Sequence, residues 1–244
     1  MTVPGAEQLL NLWERHHAAH PLRRALALLE AAWPQADALA WAQVPVGARD
    51  AWLLRLFEDL FGPQLRTVAD CPRCGERLEA DFLASDIRSR EPAPPAPVAP
   101  LHWQGAGCSA AYRLPNTEDL LLAAPDGADA TRALLRRCVV EARQGRRAIA
   151  PDELSEGAVA GIAEAMAAAD PDADVRLGLS CPACGHAWRL GFDIVSYFWG
   201  ELSDWARRTL AEVDRLARAY GWSEQEILRL SPTRRQLYLE LLRA

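Results

Sequence analysis

Four of the six cysteines stand in two matching pentapeptides, which are the residues best placed to do chemistry. The first, CPRCG, begins at Cys71, and the second, CPACG, begins at Cys181. Two cysteines separated by two residues can hold one ion from a tight turn, and the following glycine permits the left-handed backbone that this turn needs. We therefore predict one structural Zn²⁺ per chain, bound by Cys71, Cys74, Cys181 and Cys184 in a closed tetrahedral shell.

The two cysteine pairs are far apart in the sequence. Cys74 and Cys181 are separated by 107 positions (181 − 74), whereas a compact zinc ribbon separates its pairs by roughly 15–20 residues. A whole subdomain must therefore fit between the two knuckles. His186 directly follows the second knuckle, but four thiolates already fill a tetrahedral site, so we predict that it is a neighbour of the metal and not a ligand.

Apolar and polar residues alternate on the flanks of the knuckles, which is typical of half-buried strands. The pattern predicts a strand over ERLEADFLASDIR, residues 76–88, after the first knuckle and a hairpin made by DVRLGLS and HAWRLGF around the second. We expect the strand after Gly75 to pair with this hairpin once the metal joins the knuckles. A redox dithiol is the alternative, but a thioredoxin-type motif would begin a helix in a chain of alternating strands and helices.

The N-terminal quarter has the apolar spacing of helices. Two helices are expected on either side of Pro21, which is well tolerated in the first turn of the second. A further helix over AWLLRLFEDLFG ends at Gly62. The cluster His16, His17 and His20 has no nearby cysteine or carboxylate to complete a ligand set, so we interpret it as a solvated helix end.

The segment between the knuckles begins with a proline-rich stretch. EPAPPAPVAP, residues 91–100, contains five prolines and is predicted to be an extended spacer, with a ligand for a proline-recognising domain as the alternative. LHWQGAGCSAAYRLP then predicts a β-hairpin around residues 105–107.

Three helices are expected after this hairpin. The first is capped by Asn116 or Thr117, the second runs from about residue 128 to 143, and the third from about 152 to 169. Cys108 and Cys138 stand alone in apolar surroundings, and we interpret both as small buried side chains.

The chain from residue 194 onward is predicted to be helical, with its longest helix closed by Gly221. Ser223 and Glu226 form a capping box for the next helix, and the Ser-Pro pair at 231–232 begins the last. These two short helices have the length of a helix–turn–helix. They are either a packed terminal hairpin or a DNA reader with Arg234 and Arg235 on phosphates.

Composition limits the classes of function. The formal net charge of −6 argues against general nucleic-acid binding. No apolar run is long enough for a spanning helix and the N-terminus lacks the layout of a secretion signal, so we expect a cytoplasmic protein without a membrane partner. A closed all-sulfur site and the lack of a phosphate loop, a His-Glu-x-x-His helix or a Gly-x-Ser-x-Gly elbow predict a protein that is not an enzyme and has no small-molecule substrate.

These observations together predict an α+β fold that is mainly helical, with a small β zinc ribbon built from the two knuckles. The predicted organisation has six parts: an N-terminal helical unit (1–66), the first knuckle and strand (67–90), the linker (91–100), the inserted hairpin and helices (101–172), the second knuckle hairpin (173–193) and a C-terminal helical unit (194–244).

Two segments resemble a known family. YRLPNTEDLL and RALLRRCVVEA, within residues 112–144, and LARAYGWSEQEILRLSPTRRQLYLELL, within 194–243, are similar to the baseplate hub assembly proteins, or chaperones, of contractile phage tails and extracellular contractile injection systems. The split zinc ribbon is an addition to that pattern. The resemblance implies a non-enzymatic assembly protein that binds baseplate or tail subunits, either during assembly only or in the finished particle.

Aromatic side chains near the C-terminus are the candidates for a partner surface, since aromatic residues are enriched at interface hot spots. They are Trp199, Trp205, Tyr220, Trp222 and Tyr238. The alternative function is a zinc-ribbon adaptor that binds nucleic acid or acts in regulation, with the terminal helix pair as its reader.

Overall fold

The computed structural model describes residues 2–35, 38–89, 91–92, 99–123 and 130–243. Its contacts divide the chain into two compact units. The first unit combines Met1–Pro34 with Ile194–Ala244, and the second is Gln35–Asp193. The predicted N-terminal unit of residues 1–66 therefore contains helices that belong to both.

The described fold is mixed, with many helices and three small antiparallel sheets. In chain order its elements are α1 (Ala6–His16), α2 (Pro21–Ala32), α3 (Ala38–Gln43), α4 (Val46–Phe61), β1 (Gln64–Asp70), β2 (Arg77–Leu83), α5 (Ala84–Ile87), β3 (Leu101–Gly105), β4 (Cys108–Tyr112), α6 (Thr117–Ala123), α7 (Ala130–Cys138), β5 (Val139–Gln144), β6 (Arg147–Ile149), α8 (Glu156–Ala169), β7 (Arg176–Ser180), β8 (Ala187–Gly191), α9 (Ile194–Tyr220), α10 (Glu224–Arg229) and α11 (Pro232–Leu241).

The first unit is helical, and its helices pack around α9, the longest described helix. The predicted break before α2 is confirmed: Pro21 is its first residue, and Nδ1 of His20 accepts a hydrogen bond from the backbone N–H of Leu22 at 3.2 Å. His17 and His20 are exposed and His16 is half-buried, as expected for a solvated helix end.

The predicted turn after α9 is also confirmed. Gly221 has a φ of +70°, a conformation that costs glycine little. Ser223 Oγ accepts from the backbone N–H of Glu226 at 3.3 Å, and the Glu226 carboxylate accepts from the N–H of Ser223 at 2.8 Å. This capping box lets α10 and α11 fold back along α9, where they bury a small core of Val213, Leu216, Ile227 and Leu239.

The second unit begins with α3, which the sequence analysis did not predict, and with α4, which ends at Gly62 as expected. The start of α4 is anchored by Asp170, whose carboxylate accepts a hydrogen bond from the backbone N–H of Gly47 at 2.9 Å. A Cβ atom at Gly47 would lie 2.2 Å from an Asp170 carboxylate oxygen, so only glycine at this position allows Asp170 to contact the start of α4.

The insertion between the knuckles forms a four-stranded sheet in the order β3-β4-β5-β6. The predicted β3–β4 hairpin is confirmed, and its turn residues Ala106 and Gly107 have φ values of +49° and +74°. The helix expected from about residue 128 to 143 is wrong in its second half, because α7 ends at Cys138 and β5 follows. Val139 and Val140 are β-branched and favour a strand, and β4 pairs with β5 from Tyr112↔Val139 onward, with a register shift at Val140.

Helix α8 covers this sheet and begins at Glu156, after a Ser155 cap, instead of at about residue 152. Residues 151–153 form a 3₁₀ turn. Gly161 of α8 lies directly on the indole of Trp103 from β3, since a Cβ atom there would be 2.5 Å from the ring. The core between sheet and helices contains Cys108, Ala110, Tyr112, Leu135, Cys138, Val139, Ala142, Ile149, Leu154, Ala158, Ile162 and Met166.

The two knuckles lie at the tips of two separate hairpins, β1–β2 and β7–β8. The predicted hairpin around the second knuckle is confirmed. The strand predicted over 76–88 is confirmed only as far as Leu83, because α5 follows it. The predicted pairing of the strand after Gly75 with the second hairpin is wrong: β2 pairs with β1, over Gln64↔Leu83 to Asp70↔Arg77. A partner joined by one tight turn is available at little loop-closure cost, whereas the second hairpin is about a hundred residues away.

Residues 93–98 of the predicted proline-rich spacer lie outside the described residues. Within the part of the chain that is described, no helix combines the length and apolar character required to cross a membrane.

Candidate metal centre

The two knuckles adopt the same backbone geometry. In the first, the N–H of Cys71 donates to the carbonyl of Glu76 at 2.8 Å, and the N–H of Gly75 donates to the carbonyl of Cys71 at 2.9 Å. In the second, Cys181 donates to His186 and Gly185 to Cys181, each at 2.9 Å. The glycines have φ values of +75° and +70°, which is why glycine follows the second cysteine in both motifs.

The fold brings the four predicted ligands together. The Sγ atoms of Cys71 and Cys184 are 3.7 Å apart, those of Cys74 and Cys181 are 3.6 Å apart, and all four lie within 4.8 Å of one another. These separations are too long for disulfide bonds, and all four cysteines are free. A tetrahedral zinc site with Zn–S bonds of about 2.3 Å has S···S edges of about 3.8 Å, so the four sulfurs fit one ion.

The sulfur cluster is sealed on one side and reachable on the other. Cys71 and Cys181, the first cysteine of each knuckle, are 2% exposed, whereas Cys74 is exposed and Cys184 is half-buried. Each hairpin therefore contributes one ligand that faces the protein and one that faces solvent. If all four sulfurs bind one tetrahedral ion, no coordination position remains for a substrate, as in structural zinc sites.

The thiols differ in acidity in the absence of a cation. Burial raises the pKa of Cys71, but backbone N–H groups of Arg73 and Cys74 donate to its sulfur, and its pKa falls to about 7. The N–H of Glu76 lowers the pKa of Cys74, yet the sulfur of Cys184, burial and the other neighbouring sulfurs raise it to about 12. Four negative sulfurs at this spacing repel one another, so a bound cation is what would allow all of them to ionise.

A contact that the sequence analysis missed joins the two hairpins at a distance from the sulfurs. Phe82 of β2 and Phe192, just after β8, lie edge to face with ring centroids 5.5 Å apart. Strand β1 was also missed, although Leu65, Thr67 and Ala69 alternate with more exposed residues. That alternation is the signal that could have found the strand, and it was weakened by the polar Thr67 at an inward position.

The remaining candidate side chains stand apart from the centre. The group of possible metal ligands found among the described residues contains only the four cysteines, and the His186 ring stacks on Trp188 with centroids 6.0 Å apart. Cys108 and Cys138 are buried in the core of the four-stranded sheet, as predicted. Burial and then the nearby Asp119 carboxylate raise the pKa of Cys138 to about 12, so this thiol is not poised to react.

The aromatic candidates for a partner surface differ in exposure. Trp199 is 7% exposed and lies under the guanidinium of Arg24, 4.7 Å from its ring, so it belongs to the interior of the helical unit. Tyr220, Trp222 and Tyr238 form a mutual cluster: Tyr220 stacks on Trp222 at 4.7 Å and Tyr238 meets Trp222 edge-on at 4.9 Å. Tyr220 is the most exposed of the three, at 37%.

The chain matches no protein-family model, and neither the curated proteins nor the solved structures contain a significant match to it.

Proposed function

We propose that Cys71, Cys74, Cys181 and Cys184 bind one structural zinc ion and thereby form a split zinc ribbon. The observation that carries this proposal is the sulfur geometry: four free cysteines lie within 4.8 Å of one another at the tips of two hairpins with the same turn. All-thiolate sets select zinc or iron, and paired Cys-x-x-Cys-Gly knuckles favour zinc. The ion would fasten two hairpins that share no strand pairing.

We further propose that the protein is not an enzyme but an assembly protein of a phage-tail-like contractile injection system, acting on baseplate or tail subunits. Two considerations support this. The sulfur shell is closed and offers no open position for catalysis. The resemblance of residues 112–144 and 194–243 to baseplate hub assembly proteins covers α6, α7 and the inner strand β5 of the second unit and the α9–α11 helices of the first.

The resembling C-terminal segment contains both core and surface positions. Ile227 and Leu239 are fully or almost fully buried, so part of the motif specifies how α10 and α11 pack on α9. Leu237 and Leu241 lie one helical turn apart on α11 and are 56% and 66% exposed. Together with Tyr220, these leucines are the apolar side chains of the segment that a baseplate subunit would cover.

Co-purification tests the assembly role. The tagged chain is co-expressed with baseplate and tail subunits of the same particle, and we expect a stable complex with at least one of them. The double variant Leu237→Ser/Leu241→Ser should reduce its yield. Val68→Ser, a change at a 47%-exposed position on β1 outside both resembling segments, should not. Failure to form a complex with any subunit would contradict the assembly role without affecting the metal proposal.

The second candidate function is a zinc-ribbon adaptor for nucleic acid. One observation argues against DNA binding by its terminal helix pair, α10 and α11. Arg235, proposed for phosphate contact, is 3% exposed, and its guanidinium donates to Glu212 at 3.2 Å and to the carbonyl of Leu230 at 3.1 Å. A guanidinium held in this way serves helix packing. Binding to duplex DNA at low salt that weakens steeply as salt rises would favour the adaptor, and its absence would exclude it.

A further inference from the structure

A cleft of about 560 Å³ lies beside the two hairpins, at a distance from the sulfur centre along the strands. Its walls come from the middle of β2, from β7 and from the short segments next to them, and no residue of β1 or β8 lines it. The cleft therefore opens along the outer edges of β2 and β7, the edges that do not face their own hairpin partners.

Within the described ranges, the edge of β7 presents backbone groups without a hydrogen-bond partner to this cleft. Phe192 donates to the carbonyl of Val175, and Cys181 donates to that of His186, each at 2.9 Å. Because hydrogen-bonded positions alternate along an antiparallel ladder, the N–H and C=O groups of Arg176, Gly178 and Ser180 point away from β8. Such an edge is a template for another strand.

The edge of β2 is closed at its end. The N–H of Leu83 donates to the carboxylate of Asp86 at 2.9 Å. Ser89 donates to Asp172 through its N–H at 2.9 Å and its hydroxyl at 2.8 Å, which holds this end of the cleft together. The backbone groups of Glu79 and Asp81 of β2 also face outward, but the end of that edge at Leu83 is occupied, whereas no side-chain bond of this kind is found along β7 in the described residues. We therefore assign β7 as the strand that pairs and β2 as the opposite wall.

The walls show which side chains such a strand would carry. Apolar groups inside the cleft include Phe82, Leu177 and Leu179, which are half-buried. Its ionisable residues are Asp81, Asp86, Asp172 and Asp174 against Arg88 and Arg176, a net charge of −2 (four carboxylates against two guanidinium groups). The Arg88 guanidinium is itself held by Glu58 at 2.9 Å and Glu91 at 2.8 Å, and that of Arg176 by Asp174 at 2.9 Å.

We propose that this cleft binds an extended segment of a partner protein, which pairs with the free edge of β7 and carries arginine or lysine between apolar residues. Main-chain hydrogen bonds to β7 give affinity, and the apolar wall and acidic rim select the sequence. Alternate side chains of an added strand point to the same face, so an apolar–basic alternation fits one apolar wall and one acidic rim. The inference relies on the proposed assembly role only in that the ligand is another protein.

The test uses the zinc-loaded full chain, labelled with ¹⁵N, and three capped synthetic peptides. They are RVRVRVR, EVEVEVE and a methylated peptide, which is RVRVRVR with N-methyl groups on the backbone nitrogens of its fourth and fifth residues. We expect RVRVRVR to bind and to shift the amide resonance of Gly178. EVEVEVE should bind at least about tenfold more weakly because of the acidic rim. The methylated peptide keeps every side chain and charge but lacks two adjacent backbone donors, one of which would face β7 in either strand direction, and it should also lose about tenfold in affinity.

Two glycine-to-proline variants form a matched pair on the protein side. Gly178→Pro removes the N–H that faces the cleft, whereas Gly191→Pro removes an N–H on β8 that faces away from β7. A Cβ atom at either position meets nothing within 4 Å, and neither glycine has a positive φ. Gly178→Pro should weaken RVRVRVR binding about tenfold, and Gly191→Pro should leave it within about twofold.

Three results would overturn the inference. They are the lack of any binding by RVRVRVR, equal binding of RVRVRVR and the methylated peptide, and resonance shifts confined to residues away from β2 and β7. If the peptide test fails while baseplate subunits still co-purify with the chain, the cleft proposal is wrong and the assembly role stands. If the peptide binds and no subunit co-purifies, the assembly role is wrong and the cleft proposal stands.

Discussion

The sulfur atoms of Cys74 and Cys181 lie 3.6 Å apart, although 107 positions separate the two residues. The four-stranded sheet and three helices of the insertion are folded between them. A metal ion at this point would close a loop that contains most of the second unit, so its removal should destabilise the protein well beyond the two knuckles.

Loss of one ligand should remove the stabilisation that the metal supplies. Cys71→Ser is expected to lower the free energy of unfolding by several kcal/mol, out of the roughly 10–16 kcal/mol that structural zinc can provide. Urea unfolding followed by circular dichroism measures the difference. The comparison variant Cys108→Ala changes a core cysteine outside the site and should cost about 1 kcal/mol.

Adding a metal chelator distinguishes destabilisation by loss of the metal from destabilisation by loss of core packing. With excess chelator and reductant, the wild-type chain and Cys71→Ser should become equally stable, while Cys108→Ala keeps its deficit. A deficit of Cys71→Ser that persists unchanged in chelator would mean that this residue acts by packing and not as a ligand.

His186 stands next to the second knuckle but should contribute no ligand, since its ring stacks on Trp188 and four sulfurs complete a tetrahedron. His186→Ala is therefore expected to retain about one metal ion per chain. Metal content by mass spectrometry checks this, and a drop in content to that of Cys184→Ser would show that His186 is a ligand in place of one thiolate.

The contact between α8 and β3 provides a test of the insertion. A Cβ atom at Gly161 would lie 2.5 Å from the Trp103 ring, so Gly161→Ala should destabilise the protein by about 1–3 kcal/mol. Gly157, in the same helix, has its nearest contact at 3.8 Å, so Gly157→Ala should stabilise by about 0.5–1 kcal/mol. Thermal unfolding of both variants tests this contact. Shifts of the same sign in the two melting temperatures would contradict the packing of α8 on Trp103.

A buried carboxylate gives the stability of the second unit a pH dependence. Asp119 is 1% exposed; Arg113 donates to it at 2.5 and 2.8 Å, and Arg137 at 3.1 Å. Burial raises the pKa of Asp119. The Arg113 and Arg137 guanidinium groups and the N–H of Asn116 lower it by more, so the pKa lies below its usual value. The ion pairs therefore stabilise fully above the unfolded pKa of about 3.9, and this stabilisation is lost as the pH falls through the folded pKa.

Asp119→Asn should accordingly cost about 3 kcal/mol at pH 7 and flatten the dependence of unfolding free energy on pH below about 4. Asp152→Asn is the control, because Asp152 is 58% exposed and pairs with a half-exposed Arg136, so it should cost under about 1 kcal/mol. An Asp119→Asn profile parallel to that of the wild type at acid pH would refute the assignment.

The local structure that the sequence predicted correctly rests on short-range chemistry. Pro21 at the start of α2, the Ser223–Glu226 capping box and the Gly75 and Gly185 turns each involve residues only a few positions apart. The four metal-ligand candidates were found for the same reason, since each Cys-x-x-Cys-Gly motif specifies its own turn.

The errors concern choices that depend on distant partners. Leu134, Leu135, Cys138 and Val139 have helical spacing, and only the edge of β4 makes residues 139–144 a strand. Likewise, Leu78, Ala80 and Phe82 indicate a strand but not its neighbour, which proved to be β1 and not the second hairpin. Pairing is decided by tertiary context, which a periodicity does not contain.

Metal content of the purified chain tests the central claim most directly. The protein is purified under reducing conditions without chelators, and zinc is measured by mass spectrometry alongside the double variant Cys74→Ser/Cys181→Ser. We predict about one zinc ion per wild-type chain and almost none in the double variant. Two ions per chain, no metal in the wild type, or an undiminished content in the double variant would contradict a single zinc site formed by the two knuckles.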